Sequence, residues 1–309
     1  MEHGSNRREA LFVRVAIAGG SGFLGRHLLR ALREHGHEPL LITRGGEQHS
    51  VPFVTWERLA HDPACMDGVE AIINLAGETI NQRWTSSARE RILRSRLEAT
   101  AALIHWVQQT EEKPAVFLQG SAIGCYGASD TAVFTEETAA DGTDFLAHVV
   151  SQWEQEAERI TGVRLVKLRT GVVLGRDGGA FGKMLLPYKL CAGGPIASGK
   201  QWMSWIHVHD WTALVLYLLE HRELAGPVNI TAPEPVQNDT FGRTLGKVMR
   251  RPHWMPVPAP MLRLLFGDMA QLLTEGQRVL PQRALRAGFA YRYPDLESAL
   301  QALIKVEPS

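Results

Sequence analysis

The chain has 309 residues, enough for one large α/β domain or for a nucleotide domain carrying a smaller lobe. Its 33 basic residues balance 33 acidic ones, so no global field draws nucleic acid or an anionic membrane, and a small molecule is the expected ligand. Three well-separated cysteines, Cys65, Cys125 and Cys191, match neither a disulfide framework nor a metal-ligand spacing and read as reduced thiols of a cytoplasmic protein.

Residues 1–11 are polar and charged, without the apolar region of a signal peptide, and are expected to form a disordered extension. Val13 to Ala18 is a β-branched run that stops at a cluster of glycines. Phe23, Leu24, His27, Leu28, Ala31 and Leu32 then recur at helical spacing, with Gly36 where a C-cap belongs. Strand-like Pro39–Thr43 follows, then an apolar run at Glu70–Leu75, a long amphipathic helix over Ser87–Gln108 and a strand at Ala115–Leu118. A helix at Phe145–Ile160 and a strand at Val163–Leu168 continue the alternation, which predicts a Rossmann-type doubly wound parallel α/β sheet over residues 12–175. Beyond it, Gly178-Gly179, Gly193-Gly194-Pro195 and Pro256-Val257-Pro258 break the chain into short elements. They mark a smaller mixed C-terminal lobe, mainly residues 176–309, for a substrate. Residues 205–232 return to the first domain, with a helix at His209–Glu220 and a strand at Val228–Thr231; a further helix is expected at Thr240–Met249.

The chemistry starts at Gly19, Gly22 and Gly25, which lie between the first strand and the first helix. Residues without Cβ let the backbone approach a pyrophosphate, whose charge then sits on N–H groups at a helix N-terminus. Gly20 and Gly25 also have Walker A spacing, but Arg26-His27 stand where that loop needs Lys and Ser or Thr, which argues against an NTPase. Thr43 and Arg44 close the second strand, where an acid would read the ribose 2′-hydroxyl of NAD and an Arg accommodates a 2′-phosphate. NADP(H) is therefore the expected cofactor, unless Arg44 is simply a solvated surface residue.

These residues resemble the extended short-chain dehydrogenase/reductases. The resemblance is carried by Ala18 to Gly25, Asn74-Leu75-Ala76-Gly77 and Gly120-Ser121-Ala122. It is sharpest to an atypical, epimerase-like branch of unassigned substrate with a distinct C-terminal domain. The marks of that branch are Glu78 after the third-strand segment, Leu168 to Gly175, Gly193-Gly194-Pro195, Trp202 to His207 and Gly276 to Pro281. The resemblance implies cofactor contacts at Gly19, Gly22, Phe23, Leu24 and Gly25, at Thr43 and Arg44, at Leu75, Ala76 and Gly77, and at Arg96 and Val173. A homodimer paired through the long helices is common in that superfamily.

One departure matters. The superfamily's Tyr-x-x-x-Lys pair exchanges protons with substrate, and when Glu154 is aligned with the acid that follows it, Leu146 and Val150 fall in its two positions. Neither carries a proton, and both read as buried core. Ser121 and Tyr126 are the candidates to replace the pair, with Ser121 equally suited to capping a turn and Tyr126 lacking a visible cation. Glu78, Trp205 and His207 are candidate substrate contacts, because the alternation of Trp202 to His207 fits one strand with Met203, Trp205 and His207 on one side. His207 and His209 share a strand face without a third ligand, so no metal is expected. The expected function is an NADP(H)-dependent oxidoreductase or epimerase on a small polar substrate; the alternative is a non-catalytic NADP(H) binder that reports redox state.

Overall fold

The computed structural model describes residues 13–45 and 49–305; the extension expected at residues 1–11, and Gly46 after Arg44, lie outside the described residues. The strands are, in chain order, β1 (Arg14–Ala18), β2 (Glu38–Thr43), β3 (Phe53–Thr55), β4 (Ala71–Asn74), β5 (Val116–Ala122), β6 (Val133–Phe134) and β7 (Arg164–Thr170). They continue with β8 (Val172–Leu174), β9 (Trp202–Met203), β10 (Trp205–His207), β11 (Gly226–Ile230), β12 (Val236–Gln237) and β13 (Arg278–Val279). Seven of them form one all-parallel sheet in the order β11-β7-β5-β4-β1-β2-β3, a doubly wound Rossmann-type arrangement.

Both faces of this sheet are covered, which is why its strands are apolar runs rather than alternating ones. Val15 and Ile17 of β1 pack with Leu28 and Leu32 of helix α1 (Phe23–Glu34) on one face, together with Trp211, Leu214 and Leu218 further along the chain. Ala16 and Ala18 point the other way, into a cluster with Leu103, Trp106 and Val107. Short helix α2 (Trp56–His61) follows β3, and these two elements escape a periodicity reading because a three-residue strand holds no repeat. Helix α3 (Ser86–Gln109) is capped by the Thr85 hydroxyl, and α4 (Phe145–Ala157) by the Asp144 carboxylate, which accepts from the N–H groups of Leu146 and Ala147. β11 pairs with β7 at the sheet's edge, so the chain does return to the first sheet after an excursion.

That excursion leaves through β8 and comes back through β10, its parallel partner, and then enters helix α6 (Val208–Glu220). Between them lie helix α5 (Phe181–Lys189) and β9. With α7 (Asn238–Met249) and the helix Leu296–Lys305, they enclose a second core containing Phe181, Trp205, Phe241 and Leu300. The single alternating strand expected over Trp202–His207 is two strands. The Ser204 hydroxyl donates to the Gln277 carbonyl and accepts the Val279 N–H, which turns the chain from its β12 partner to its β8 partner. No helix among the described residues is long and apolar enough to cross a membrane.

Candidate functional site

The turn after β1 is built to bring backbones together. Gly19 has φ +79°, and a Cβ there would lie 2.6 Å from the Leu75 carbonyl oxygen. A Cβ on Gly25 would lie 2.4 Å from the Cα of Gly20, so both positions exclude any side chain. Gly22 opens α1, whose first turn has neither a side-chain cap nor an acidic residue, and its N–H groups and positive dipole end are left for an anion. A dinucleotide pyrophosphate fits such a cradle. Phe23 takes another part: its ring fills the space beside Gly175, Gly178 and Gly179 and so ties the start of α1 to the excursion, beside a His27–Asp177 contact of 2.8 Å. Leu24 and Leu75 pack on the core next to the turn, and Val173 is buried in that core.

Arg44 is exposed just after Thr43 at the end of β2, and its charge acts on Glu78 beyond β4. The Glu78 carboxyl is held below its usual range, chiefly by the hydrogen bond from Gln82 and further by Arg91 and Arg44, against the opposing effect of desolvation. Arg44 thus stands as an exposed cation at the end of β2, facing an ionised Glu78. Ala76 donates its N–H to the Asn74 side chain, and Gly77 sits over Arg96: a Cβ there would lie 2.9 Å from Arg96 Cζ.

Ser121 and Tyr126 belong to a different assembly. Ser121 donates to Glu154 at 2.6 Å, and Arg169, its register partner on β7, grips both oxygens of Glu154 at 2.9 Å. Lys167 adds a contact of 3.1 Å to the same carboxylate. Arg169 also donates to the Tyr126 hydroxyl at 3.0 Å, and that hydroxyl donates to Asn229 on β11. Burial pushes the Glu154 carboxyl up, but the hydrogen bonds and charge of Arg169 outweigh it and hold the group below the carboxylate range. Arg169 is the cation the sequence did not reveal beside Tyr126, yet burial dominates and pushes that phenol up to about 12. Each group has its partners inside the protein, and neither Ser121 nor Tyr126 lines a described cavity.

An apolar cavity of about 340 Å³ opens between the ends of β5 and β7, the start of β8 and the second lobe. On the sheet side it is walled by Ala122, Gly124, Leu146, Val150 and Trp153; on the lobe side by Met184, Tyr188, Trp202 and Phe241. Leu146 and Val150 thus form wall as well as core, and the cavity is apolar where the superfamily carries its proton pair. Arg96 reaches it from α3. One guanidinium nitrogen donates to the carbonyls of Ile92 and Glu78, the group lies 5.1 Å from the Trp153 ring centre, and burial pushes its pKa down to about 10. Tyr188 brings the cavity's phenol: its hydroxyl meets His253 Nδ1 at 2.8 Å, while His253 Nε2 meets Asp239 at 3.0 Å, and burial, then Asp239, push this phenol too up to about 12. Asp239 thus stands behind the imidazole that meets the Tyr188 hydroxyl.

Trp205 and His207 do not reach this cavity. Trp205 is fully buried in the second core, donating to the Glu234 carbonyl. His207 accepts the His209 N–H as the N-cap of α6 and packs on Tyr293; burial, then His209, Arg292 and His27, push its pKa down to about 4. Glu78 lies outside the cavity, though neighbouring Ile80 lines it. Trp202, Met203 and Ser204 line it instead. Tyr188 and His253 escaped the sequence reading. The signals available were glycines: a Cβ on Gly193 would lie 2.4 Å from the Tyr188 ring, and one on Gly242 would lie 2.3 Å from His253 and 2.6 Å from the Tyr188 hydroxyl. Among the described residues, no group of three or more His, Cys, Asp or Glu is placed to hold a metal ion.

Comparison with known proteins agrees with this geometry. The chain is 42% identical over 296 residues to the epimerase family protein YfhF of Bacillus subtilis, covering 94% of this chain and 97% of that one. It is 37% identical over 301 residues to the chloroplastic epimerase family protein SDR39U1 homolog of Arabidopsis thaliana, covering 94% and 86%. The crystal structure of human epimerase family protein SDR39U1 (isoform 2) with NADPH superposes with a TM-score of 0.89 at 36% identity, covering 94% of this chain and 99% of that one. The profile of a domain of unknown function, DUF1731, matches residues 257–303, in the second lobe. The profile of the NAD dependent epimerase/dehydratase family matches residues 15–231, from β1 through the returning edge strand, and the chain belongs to that family.

Proposed function

We propose that the protein is an NADP(H)-dependent oxidoreductase or epimerase whose substrate occupies the cavity between the sheet and the second lobe. The observation that carries this reading is the adjacency of three parts: a glycine cradle at an uncapped helix end, an exposed Arg44 at the end of β2, and an apolar cleft at the carboxyl ends of the strands. The NADPH in the human relative's structure supports the cofactor. Gly19, Gly22 and Gly25 would hold the pyrophosphate, Thr43 and Arg44 the 2′-phosphate. Bound there, the cofactor supplies or accepts a hydride. The chain's own part is to help hold the cofactor with Arg96, to exclude water with the apolar walls, and to exchange a proton at Tyr188 Oη with His253 behind it. Ser121 and Tyr126 hold the sheet end together instead of moving protons. The walls favour a substrate with an apolar body over the small polar one expected from sequence. The free thiols of Cys65, Cys125 and Cys191 suit a cytoplasmic setting.

The deciding experiment is a nicotinamide-fluorescence titration with NADPH, NADH, NADP⁺ and NAD⁺, repeated with Arg44→Ala. NADPH is expected to bind tighter than NADH, and the variant to lose about 10- to 100-fold of NADPH affinity, the worth of a hydrogen bond to a charged group. Equal affinity for NADH would remove the NADP(H) assignment. Leu146 and Val150 favour a second reading, a non-catalytic NADP(H) binder. It gains if NADPH binds tightly yet no carbonyl compound that enters the cavity is ever reduced.

A further inference from the structure

The balance of 33 basic and 33 acidic residues over the whole chain hides a local imbalance in the second lobe. Residues 181–200, which hold α5 and the chain after it, contain Lys183, Lys189 and Lys200 and no acid. Residues 250–266 contain Arg250, Arg251 and Arg263, again without an acid, and end in helix α8 (Ala259–Phe266). All six cations are exposed, and among the described residues none has a carboxylate within salt-bridge distance. Nearby carboxylates are engaged with other groups: Asp239 with Arg243 and His253, and Asp268 with Arg89. Glu275, beyond α8, keeps its charge open but leaves the surface positive.

The two segments are stitched into one surface. Trp254 and Met255 donate their N–H groups to the Gly193 carbonyl, Val257 donates to Pro195, and the Trp254 indole donates to the Cys191 carbonyl at 2.9 Å. Along this seam and on into α8, large apolar side chains stand outward: Leu186, Leu190 at 70% exposure, Trp254 at 62%, Met261, Leu264 at 81% and Leu265. Leu262 is the only buried residue of α8. Single exposed leucines are ordinary, but a run of them interleaved with unpaired cations marks a binding face. The run borders the apolar cavity, which is lined by Met184, Tyr188 and Ile196 of the first segment and by Leu272, itself exposed, after α8.

Charge selects what covers such a face. A second copy of this chain, docked face to face, would set six unpaired cations against six more. An anionic bilayer instead supplies phosphates for the cations and hydrocarbon for Trp254 and the leucines. We propose that this face docks on the surface of an anionic phospholipid membrane. Leu190, Trp254 and Leu264 enter the boundary between headgroups and chains, while Lys189, Arg251 and Arg263 meet the phosphates. The protein lies on the bilayer and does not cross it. Docking of this kind is independent of the chemistry proposed above; where both hold, an apolar substrate reaches the cavity from the lipid.

The test is sedimentation of the full chain with vesicles of phosphatidylcholine alone and of phosphatidylcholine mixed with phosphatidylglycerol. Binding to the anionic vesicles is expected to be at least about tenfold tighter than to the neutral ones, and to weaken as salt is raised. Leu190→Ser with Leu264→Ser should lower it about tenfold or more at unchanged charge, and Lys189→Glu with Arg263→Glu should remove the preference for anionic lipid. NADPH affinity within about threefold of the unaltered protein's shows that both double variants fold. No binding, or equal binding to the two vesicles, by the unaltered protein overturns the proposal. So does binding that survives the serine pair. A protein that ignores vesicles but sediments as a dimer dispersed by the serine pair gives the face to a second copy, and one that ignores vesicles yet binds polyglutamate gives it to an acidic partner; either result overturns the membrane assignment. Vesicle binding is read without turnover, so failure of the oxidoreductase reading leaves it standing.

Discussion

Arg169 and Arg96 carry the same charge to neighbouring parts of the molecule and meet opposite conditions. Arg169, at the end of β7, has both its prongs on Glu154 and a third contact on Tyr126, with Lys167 and Ser121 completing the cluster. Arg96, on α3, finds two backbone carbonyls and the face of Trp153. Polar groups that satisfy one another hold strands in register; a polar group that the protein does not satisfy is reserved for something that arrives. The comparison also sorts the two tyrosines, since Tyr126 is locked into the first assembly and Tyr188 stands on the cavity wall.

Deleting the two guanidiniums should break this symmetry most visibly. Arg169→Met leaves Glu154 buried with only Lys167 and Ser121, and is expected to cost about 3–5 kcal/mol in urea unfolding. Arg96→Met removes a cation that nothing pairs and should shift stability by less than about 1 kcal/mol. Similar losses at both sites would mean that Arg96 is as structural as Arg169. The next largest effect concerns His207, whose folded pKa of about 4 lies below its unfolded value. A base depressed in this way adds stability that is fully present above the unfolded pKa, about 6.5, and is lost as pH falls toward 4. His207→Asn keeps an N-cap for α6 but cannot titrate. Across that window it should therefore lose about 3 kcal/mol less stability than the unaltered protein. Parallel pH curves for the two proteins would show that His207 is not neutralised by the fold. The smallest effect separates the phenols. Tyr126→Phe strands Asn229 Oδ1 and frees a donor of Arg169, at about 1–3 kcal/mol. Tyr188→Phe should cost about 1 kcal/mol, because one hydrogen bond is lost there, to His253, and not two.

Much of the first domain could be read from the sequence because its determinants are local. The β1 turn announces itself in eight consecutive residues, and α3, expected over Ser87–Gln108, runs Ser86–Gln109. The site was less legible. Arg169 and Tyr126 are 43 residues apart and meet only because β5 and β7 are sheet neighbours. Tyr188 and His253, 65 residues apart, meet through packing of the second lobe. The alternation expected over Trp202–His207 does not carry through: the chain turns at Ser204, so Trp205 and His207 go into the core while Trp202 and Met203 take the wall. Likewise, Leu146 and Val150 show in sequence that the proton pair is missing, whereas the chamber they border appears only once the lobes are together.

The pairing of β8 with β10 carries one more consequence. Residues 175–204 depart from the sheet region at Leu174 and rejoin it beside their point of departure, and they bring Met184, Tyr188, Ile196, Gln201, Trp202, Met203 and Ser204 to the cavity. The segment behaves as a cassette clipped between two adjacent strands. Beyond the stretch from Gly175 to Gly179 that Phe23 and His27 hold to α1, its sequence can drift, lengthen or be exchanged with little disturbance to the glycine turn, so a lineage can inherit the cofactor machinery unchanged and revise what it accepts one cassette at a time.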